Sequence, residues 1–253
     1  MKTIKKYLCV AFIGMYVSFQ PTLYAQDAPQ VGSAQWHFET SKAIGSALAD
    51  SAYWNMSLPY FRDIGEKTQD WSVLLMLSKV ELQQGNYDAS LHAIQRALAV
   101  SPENPRLLFT AAQIFTDSGD TSQAIDFYEK TLSIQPNHPQ AVLALARLKF
   151  AQGDWNEVIA LYEPWLSQHE PTSEPLVRLA VSYENLGNVD KAERYLLQNV
   201  DIHPNRAIAL VALERFYTRQ GKTEQAKKAA KARAEIQKTA DDRNLRQLQR
   251  SSR

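Results

Sequence analysis

The stretch Gln84-Gly85-Asn86-Tyr87-Asp88 returns two periods later as Gln152-Gly153-Asp154-Trp155-Asn156. Outward from these segments, glycine stands at Gly85, Gly119, Gly153, Gly187 and Gly221, every 34 residues and without an insertion. A fixed period of this size marks a stacked repeat, in which each copy buries its apolar face against the next. Glycine tolerates positive φ, and the Asn or Asp after it is expected to cap the following helix. Pro102, Pro136 and Pro204 close their registers.

With this period the chain falls into five registers, 71–104, 105–138, 139–172, 173–206 and 207–240, with glycine fifteenth in each. Column four reads Leu74, Leu108, Val142, Leu176, Leu210, and column seven reads Leu77, Ala111, Leu145, Leu179, Leu213. Column eight is small in four registers (Ser78, Ala112, Ala146, Ala180), and column twenty is Ser90, Ala124, Val158, Ala192, Ala226. Apolar residues at steps of three and four on both sides of the glycine predict two amphipathic helices per register. The small columns let those two helices approach closely.

These residues resemble the tetratricopeptide repeat family. Its small-residue columns stand at Ala112 and Ala124, its aromatics at Tyr128, Tyr162, Tyr183 and Tyr217, and its terminal proline at Pro136. The likeness covers residues 71–240. Departures fall at Glu81 and Lys149, where the family favours an aromatic, at Trp165, where it favours alanine, and at Glu170-Pro171, where the proline is displaced by one. The resemblance implies an all-α, right-handed superhelical solenoid of helix-turn-helix repeats with a C-terminal capping helix.

Residues 37–70 fit one further, degenerate repeat, with Met56, Tyr60 and Ile64 in the inner columns of its second helix and Asp50-Ser51-Ala52-Tyr53 as its turn. Residues 224–250 lack glycine and proline and are rich in Ala, Lys, Gln, Arg and Glu, which predicts a polar helix capping the exposed end. Its end, 241–253, is a basic tail that either completes the cap or docks on an acidic partner or anionic lipid.

At the other end, Lys2, Lys5 and Lys6 precede the apolar run from Tyr7 to Phe19, Pro21 and the small-residue site Leu23-Tyr24-Ala25. That order is expected of a secretory signal peptide over 1–25, followed by a short linker, 26–36. The run is short for a bilayer, so the expected location is the periplasm, with membrane anchoring or secretion as alternatives and membrane association only if the segment is retained. The single cysteine, Cys9, lies inside the run without a small residue before it, which argues against lipid attachment. A mature chain without cysteine forms no disulfide and offers no thiol chemistry.

Removing the three signal lysines leaves 25 basic residues against 27 acidic ones, a balance that predicts no nucleic-acid partner. Residues 222–253 hold ten Lys or Arg against four Asp or Glu, so the rest of the mature chain is acidic.

The resemblance further implies a concave groove lined by the first helix of each pair. Its fifth column is Leu75, Phe109, Leu143, Val177 and Val211. Lys79, Gln113, Arg147 and Arg215 stand in the ninth, with Val181 in the fourth register, and Arg178 and Arg219 join them. Such a groove suits a protein or peptide partner with acidic and apolar side chains, because arginine pairs carboxylates bidentately. The bland alternative is a solvated helix face. The family's chaperone-tail clamp needs Lys at column five and Asn at column nine, where Leu75 and Lys79 or Phe109 and Gln113 stand instead.

Catalytic patterns are lacking. Gly221-Lys222-Thr223 imitates the end of a P-loop, but Phe216 occupies the place of its required earlier glycine. His37, His92, His138, His169 and His203 are dispersed, with no metal-protease spacing, and no serine sits in a glycine-flanked elbow. Trp155, Tyr162 and Trp165 suggest a sugar platform, but their columns favour packing between helices. The expectation is a non-catalytic envelope scaffold with no cofactor and no metal. The alternatives are cell-wall polymer (peptidoglycan) binding or service as an accessory subunit of an envelope enzyme.

Overall fold

A computed structural model describes residues 33–203 and 207–251, with side chains through Thr239. Twelve helices occur among the described residues, and no strand. The signal-peptide reading at 1–25 lies outside them, as does Pro204. Among the described residues, no helix is long and apolar enough to cross a membrane.

The chain divides into two compact units, Met1–Ile134 and Gln135–Arg253. The first holds α1 (Ala34–Asp50), α2 (Trp54–Gly65), α3 (Trp71–Gln83), α4 (Tyr87–Val100), α5 (Pro105–Ser118) and α6 (Thr121–Ile134). The second holds α7 (Pro139–Gln152), α8 (Trp155–Gln168), α9 (Ser173–Asn185), α10 (Val189–Ile202), α11 (Ala207–Arg219) and α12 (Thr223–Ser251). Each 34-residue register is one helical hairpin.

All five periodic glycines adopt left-handed backbone, with φ from 69° to 87°. A side chain there would meet nothing within 4 Å at Gly85, Gly119, Gly187 or Gly221. The conformation, not crowding, therefore demands glycine. The residue after the glycine behaves less uniformly than expected. Asn188 accepts a capping bond from the Lys191 amide at 3.1 Å, and Asp120 accepts one from Gln123 at 3.1 Å. Asn86 and Asp154 make no side-chain cap bond. Asn86 donates its amide to Glu81 at 2.8 Å instead, because a buried carboxylate competes for it.

The small columns meet as expected. Ser90 Oγ donates to the Ser78 carbonyl at 2.7 Å and lies 3.0 Å from Ser78 Oγ, while Ala112, Ala124, Ala146 and Ala192 are wholly buried. In the first unit one cluster joins Ala49, Phe61, Ile64, Val73, Leu77, Val80 and Ala93, and a second joins Leu74, Leu75, Ile94, Ala97, Leu107, Ala111 and Ile114. The second unit builds one larger cluster around Tyr162, Leu179, Tyr183, Leu196 and Phe216.

The hairpin α1–α2 occupies the expected extra repeat, and Ile64 is buried in it. Its second helix is turned relative to the expectation. Met56 is exposed and Tyr60 only half-buried, whereas Ser57 and Phe61 are fully covered. Phe61 reaches the core because its ring packs against Gly45, within about 3 Å of where a Cβ would stand. At the far end α12 is one continuous helix that buries Ala229 and bonds Arg233 to Glu214 at 3.0 Å, which caps the last hairpin.

Candidate functional site

The first helix of each hairpin carries the residues expected to line a groove, and the two units treat them differently. In the first unit Leu75 does not line a surface: it is buried within the core cluster of α3–α5, since the tight packing of that helix covers it. Phe109 is half-buried against Tyr128, with ring centroids 5.8 Å apart, and Gln113 is half-buried. Lys79 is exposed.

In the second unit Leu143, Val177 and Val211 are half-buried, the first two resting on the core beneath. Arg147 grips Glu174 through two bonds, Nη2 to Oε2 at 2.6 Å and Nε to Oε1. Arg178, one turn further along α9, donates its Nε to the same carboxylate at 3.0 Å and lies 4.7 Å from the Phe150 ring centroid. Arg219 grips Glu184 at 2.9 and 2.7 Å, and Gln220 adds a bond at 3.1 Å. The bidentate chemistry expected for a partner's carboxylates is thus met by carboxylates of the chain itself. Arg215 is exposed and makes no ion pair among the described residues.

These pairs set the local titration. The Arg147 bond first, against the opposing effect of burial, holds Glu174 below the usual carboxylate range. Arg219 does the same for Glu184, whose carboxylate in turn raises the Arg219 guanidinium. Burial, then the charge of Glu174, pushes the Tyr162 phenol up to about 12. That hydroxyl is buried with no hydrogen-bond partner among the described residues.

Sequence reasoning missed a second set of contacts, in which a carboxylate of one hairpin holds an aromatic of the next. Tyr183 and Tyr195 both donate to Glu163, at 2.5 and 2.9 Å, and Lys191 donates to Tyr183 at 2.9 Å. Tyr217 donates to Glu193 at 2.9 Å, and Lys222 pairs the same carboxylate. The only signal was that column eleven carries Tyr183 and Tyr217 where the second register has Phe115, which supplies hydroxyls needing an acceptor. Of the imagined aromatic platform, Tyr162 is wholly buried. Trp155 packs edge-on against Phe150 at 5.3 Å, and Trp165 stacks on His169 at 4.5 Å. Among the described residues no group of three or more His, Cys, Asp or Glu is placed to hold a metal ion.

Family models described as tetratricopeptide repeat match residues 81–148, 115–174 and 176–206, a stretch that runs from the end of α3 through α10. This chain belongs to the tetratricopeptide repeat family. No curated protein sequence matches it significantly. Solved structures do. The C-terminal part of a repeat protein from Cytophaga hutchinsonii superposes with a TM-score of 0.67 at 13% identity, covering 77% of this chain and 78% of that one. A tetratricopeptide repeat protein from Parabacteroides merdae gives 0.64 at 19% identity, covering 76% and 77%. YrrB, described as having an unusual peptide-binding site, gives 0.60 at 16% identity, covering 68% and 89%. At such identities the likeness establishes the repeat fold alone. A tetratricopeptide repeat built this way is an interaction module: its regular backbone offers long faces and leaves specificity to the side chains on them.

Proposed function

We propose that this protein is a non-catalytic scaffold of the cell envelope that binds a protein or peptide partner on the first-helix faces of its repeats. The observation that carries this reading is column nine, whose Lys79, Arg147 and Arg215 stay exposed in alternate repeats while columns four and seven of the same helices fill the cores. YrrB lends support as a similar fold whose description names peptide binding. The envelope assignment rests on the Lys2 to Ala25 leader pattern, which predicts a mature chain beginning at Gln26.

A photo-crosslinking residue placed singly at Lys79, Arg215 and the exposed Lys228 of α12, in the full chain within its native cells, tests the binding face. Capture of the same partner at the first two positions and not at Lys228 supports the reading. Capture only at Lys228, or at none of the three, overturns it. Intact mass of the purified cellular protein, taken with its distribution between soluble and membrane fractions, tests export, since an uncleaved Met1 terminus on a chain in the cytosolic fraction would remove the envelope assignment.

A further inference from the structure

The first and last described helices are finished differently. On α12, Lys227, Lys228, Lys231, Glu235 and Lys238 are all exposed, which gives the last hairpin the polar cover that a terminal helix of a repeat stack needs. On α1, Trp36, Thr40, Ile44, Ala47 and Leu48 recur at steps of three and four and so share one side. The helix meets its neighbours through the other side, where Gly45 and Ala49 are buried and Phe38 packs on the core. Its charged residues, Glu39, Lys42 and Asp50, fall outside the first side, and Lys42 is drawn to Asp70 at 2.8 Å. Trp36, Ile44 and Leu48 join none of the core clusters, and Ala47 is exposed. At the end of α1 the Tyr53 amide donates to the Leu48 carbonyl at 2.8 Å, and the Tyr53 side chain is 59% exposed.

An uncharged side running the length of a 17-residue helix, about 25 Å, has the makeup of a contact surface. The chain itself leaves little to cover it. In the proposed mature chain only residues 26–32 precede Ser33, fewer than the about 10–14 of an ordinary helix even before a turn is counted. A second copy of α1 fits when laid antiparallel, with a two-fold axis between Ala43 and Ile44. Thr40 of each copy then lies opposite Ala47 of the other, Asp50 comes beside His37, and Glu39 comes beside Leu48. Parallel pairing would instead set Glu39 against Glu39 and Asp50 against Asp50, and like charges facing each other oppose association. The antiparallel arrangement also carries Trp36 to the end of the other copy's helix, where Tyr53 stands open.

We infer that this side of α1 is a self-association surface, and that its occupant is a second copy of the chain docked as an antiparallel, two-fold symmetric helix pair. The contact is one helix wide, at the small end of specific interfaces, so the dimer forms at roughly micromolar concentration. α1 carries none of Lys79, Arg147 and Arg215, so this inference and the partner-binding reading stand or fall separately.

Analytical ultracentrifugation of the purified chain is expected to show a monomer–dimer equilibrium. Trp36→Ala weakens it at least about tenfold. Ala47→Glu, at an exposed position, places a charge in the contact and abolishes it while the thermal melt of the monomer is unchanged. Thiol cross-linking in a Cys9→Ser chain, which has no other cysteine, reads the register. Ile44→Cys is expected to form an intermolecular disulfide under mild oxidation, because the two-fold axis passes beside it. Thr40→Cys alone is not, since its two copies stand about 10 Å apart along the helix, beyond disulfide reach. Mixed with Ala47→Cys, it cross-links. A chain still monomeric at about 100 μM, an undiminished dimer in Ala47→Glu, or a disulfide from Thr40→Cys alone overturns the inference.

Discussion

The turn after α1 and the turn after α3 reverse the chain in the same way with different residues. Gly85 takes φ 75° at no steric cost, whereas Ala52 takes φ 59° and is the one non-glycine residue with positive φ among those described. The helices that follow differ in the same sense. In the later hairpins apolar columns and small residues close the interface. The hairpin α1–α2 meets its neighbour through the apolar cluster of Phe61, Ile64, Val73 and Leu77 and adds polar bonds to it: Arg62 to the buried Glu81 at 2.6 and 2.9 Å, and Lys42 to Asp70 at 2.8 Å. Asp70 also caps α3 by accepting from the Ser72 amide at 2.8 Å. Repeat geometry therefore outlasts its consensus where the apolar contact persists and Glu81, standing in column eleven in place of an aromatic, finds Arg62 and Asn86 as donors.

The sharpest way to break this comparison is Arg62→Ala. It leaves the Glu81 carboxylate, 2% exposed, with Asn86 as its remaining donor. The expected loss is about 2 kcal/mol in chemical denaturation, below the range for fully buried pairs because Arg62 itself is half exposed. The double variant Arg62→Met with Glu81→Phe, which restores the aromatic of column eleven, should recover most of it.

Gly119→Ala comes next, with a loss of about 1 kcal/mol from backbone conformation alone. Gly119→Asn should lose less, since asparagine tolerates the left-handed region.

Acid is the third probe. Burial raises Asp70, but its bonds to Lys42 and Ser72 outweigh that and lower it from 3.8 to about 2. A carboxyl depressed in the folded state stabilises above its unfolded value and loses that contribution as the pH falls through the folded one. Thermal stability should accordingly decline between about pH 4 and pH 2, and Asp70→Asn should flatten that part of the profile. The smallest effect is Ala52→Gly, expected to raise stability by roughly half a kcal/mol, because relief of strain is partly offset by a freer unfolded chain. A loss of stability instead would show that the Ala52 turn is not strained.

The parts that were legible share a cause. Column identity depends on the period, and the period is local, so hairpin boundaries, glycine conformation and the meeting of Ser78 with Ser90 could be read before any coordinates. The phase of α2 was misjudged because Met56 and Tyr60 match the apolar spacing as well as Ser57 and Phe61 do. Only Gly45 on the opposing helix, where a side chain would crowd the Phe61 ring, decides between them. Among the site residues, Arg147, Arg178 and Arg219 were recognisable as cations of the first helices, but their occupancy was not. Glu174 lies 27 residues from Arg147 and Glu184 lies 35 from Arg219, and neither offset belongs to any helical or strand pattern.

Amino-acid order alone specified a stack of helical hairpins, because each copy of the 34-residue pattern encodes its own turn and its own apolar faces. Folding in three dimensions decided which charged groups remain available. Pairing depends on distances between helices, and those distances are set by the packing of side chains far apart in the chain. That packing left Arg147 and Arg219 satisfied and the outer edge of Arg178 open.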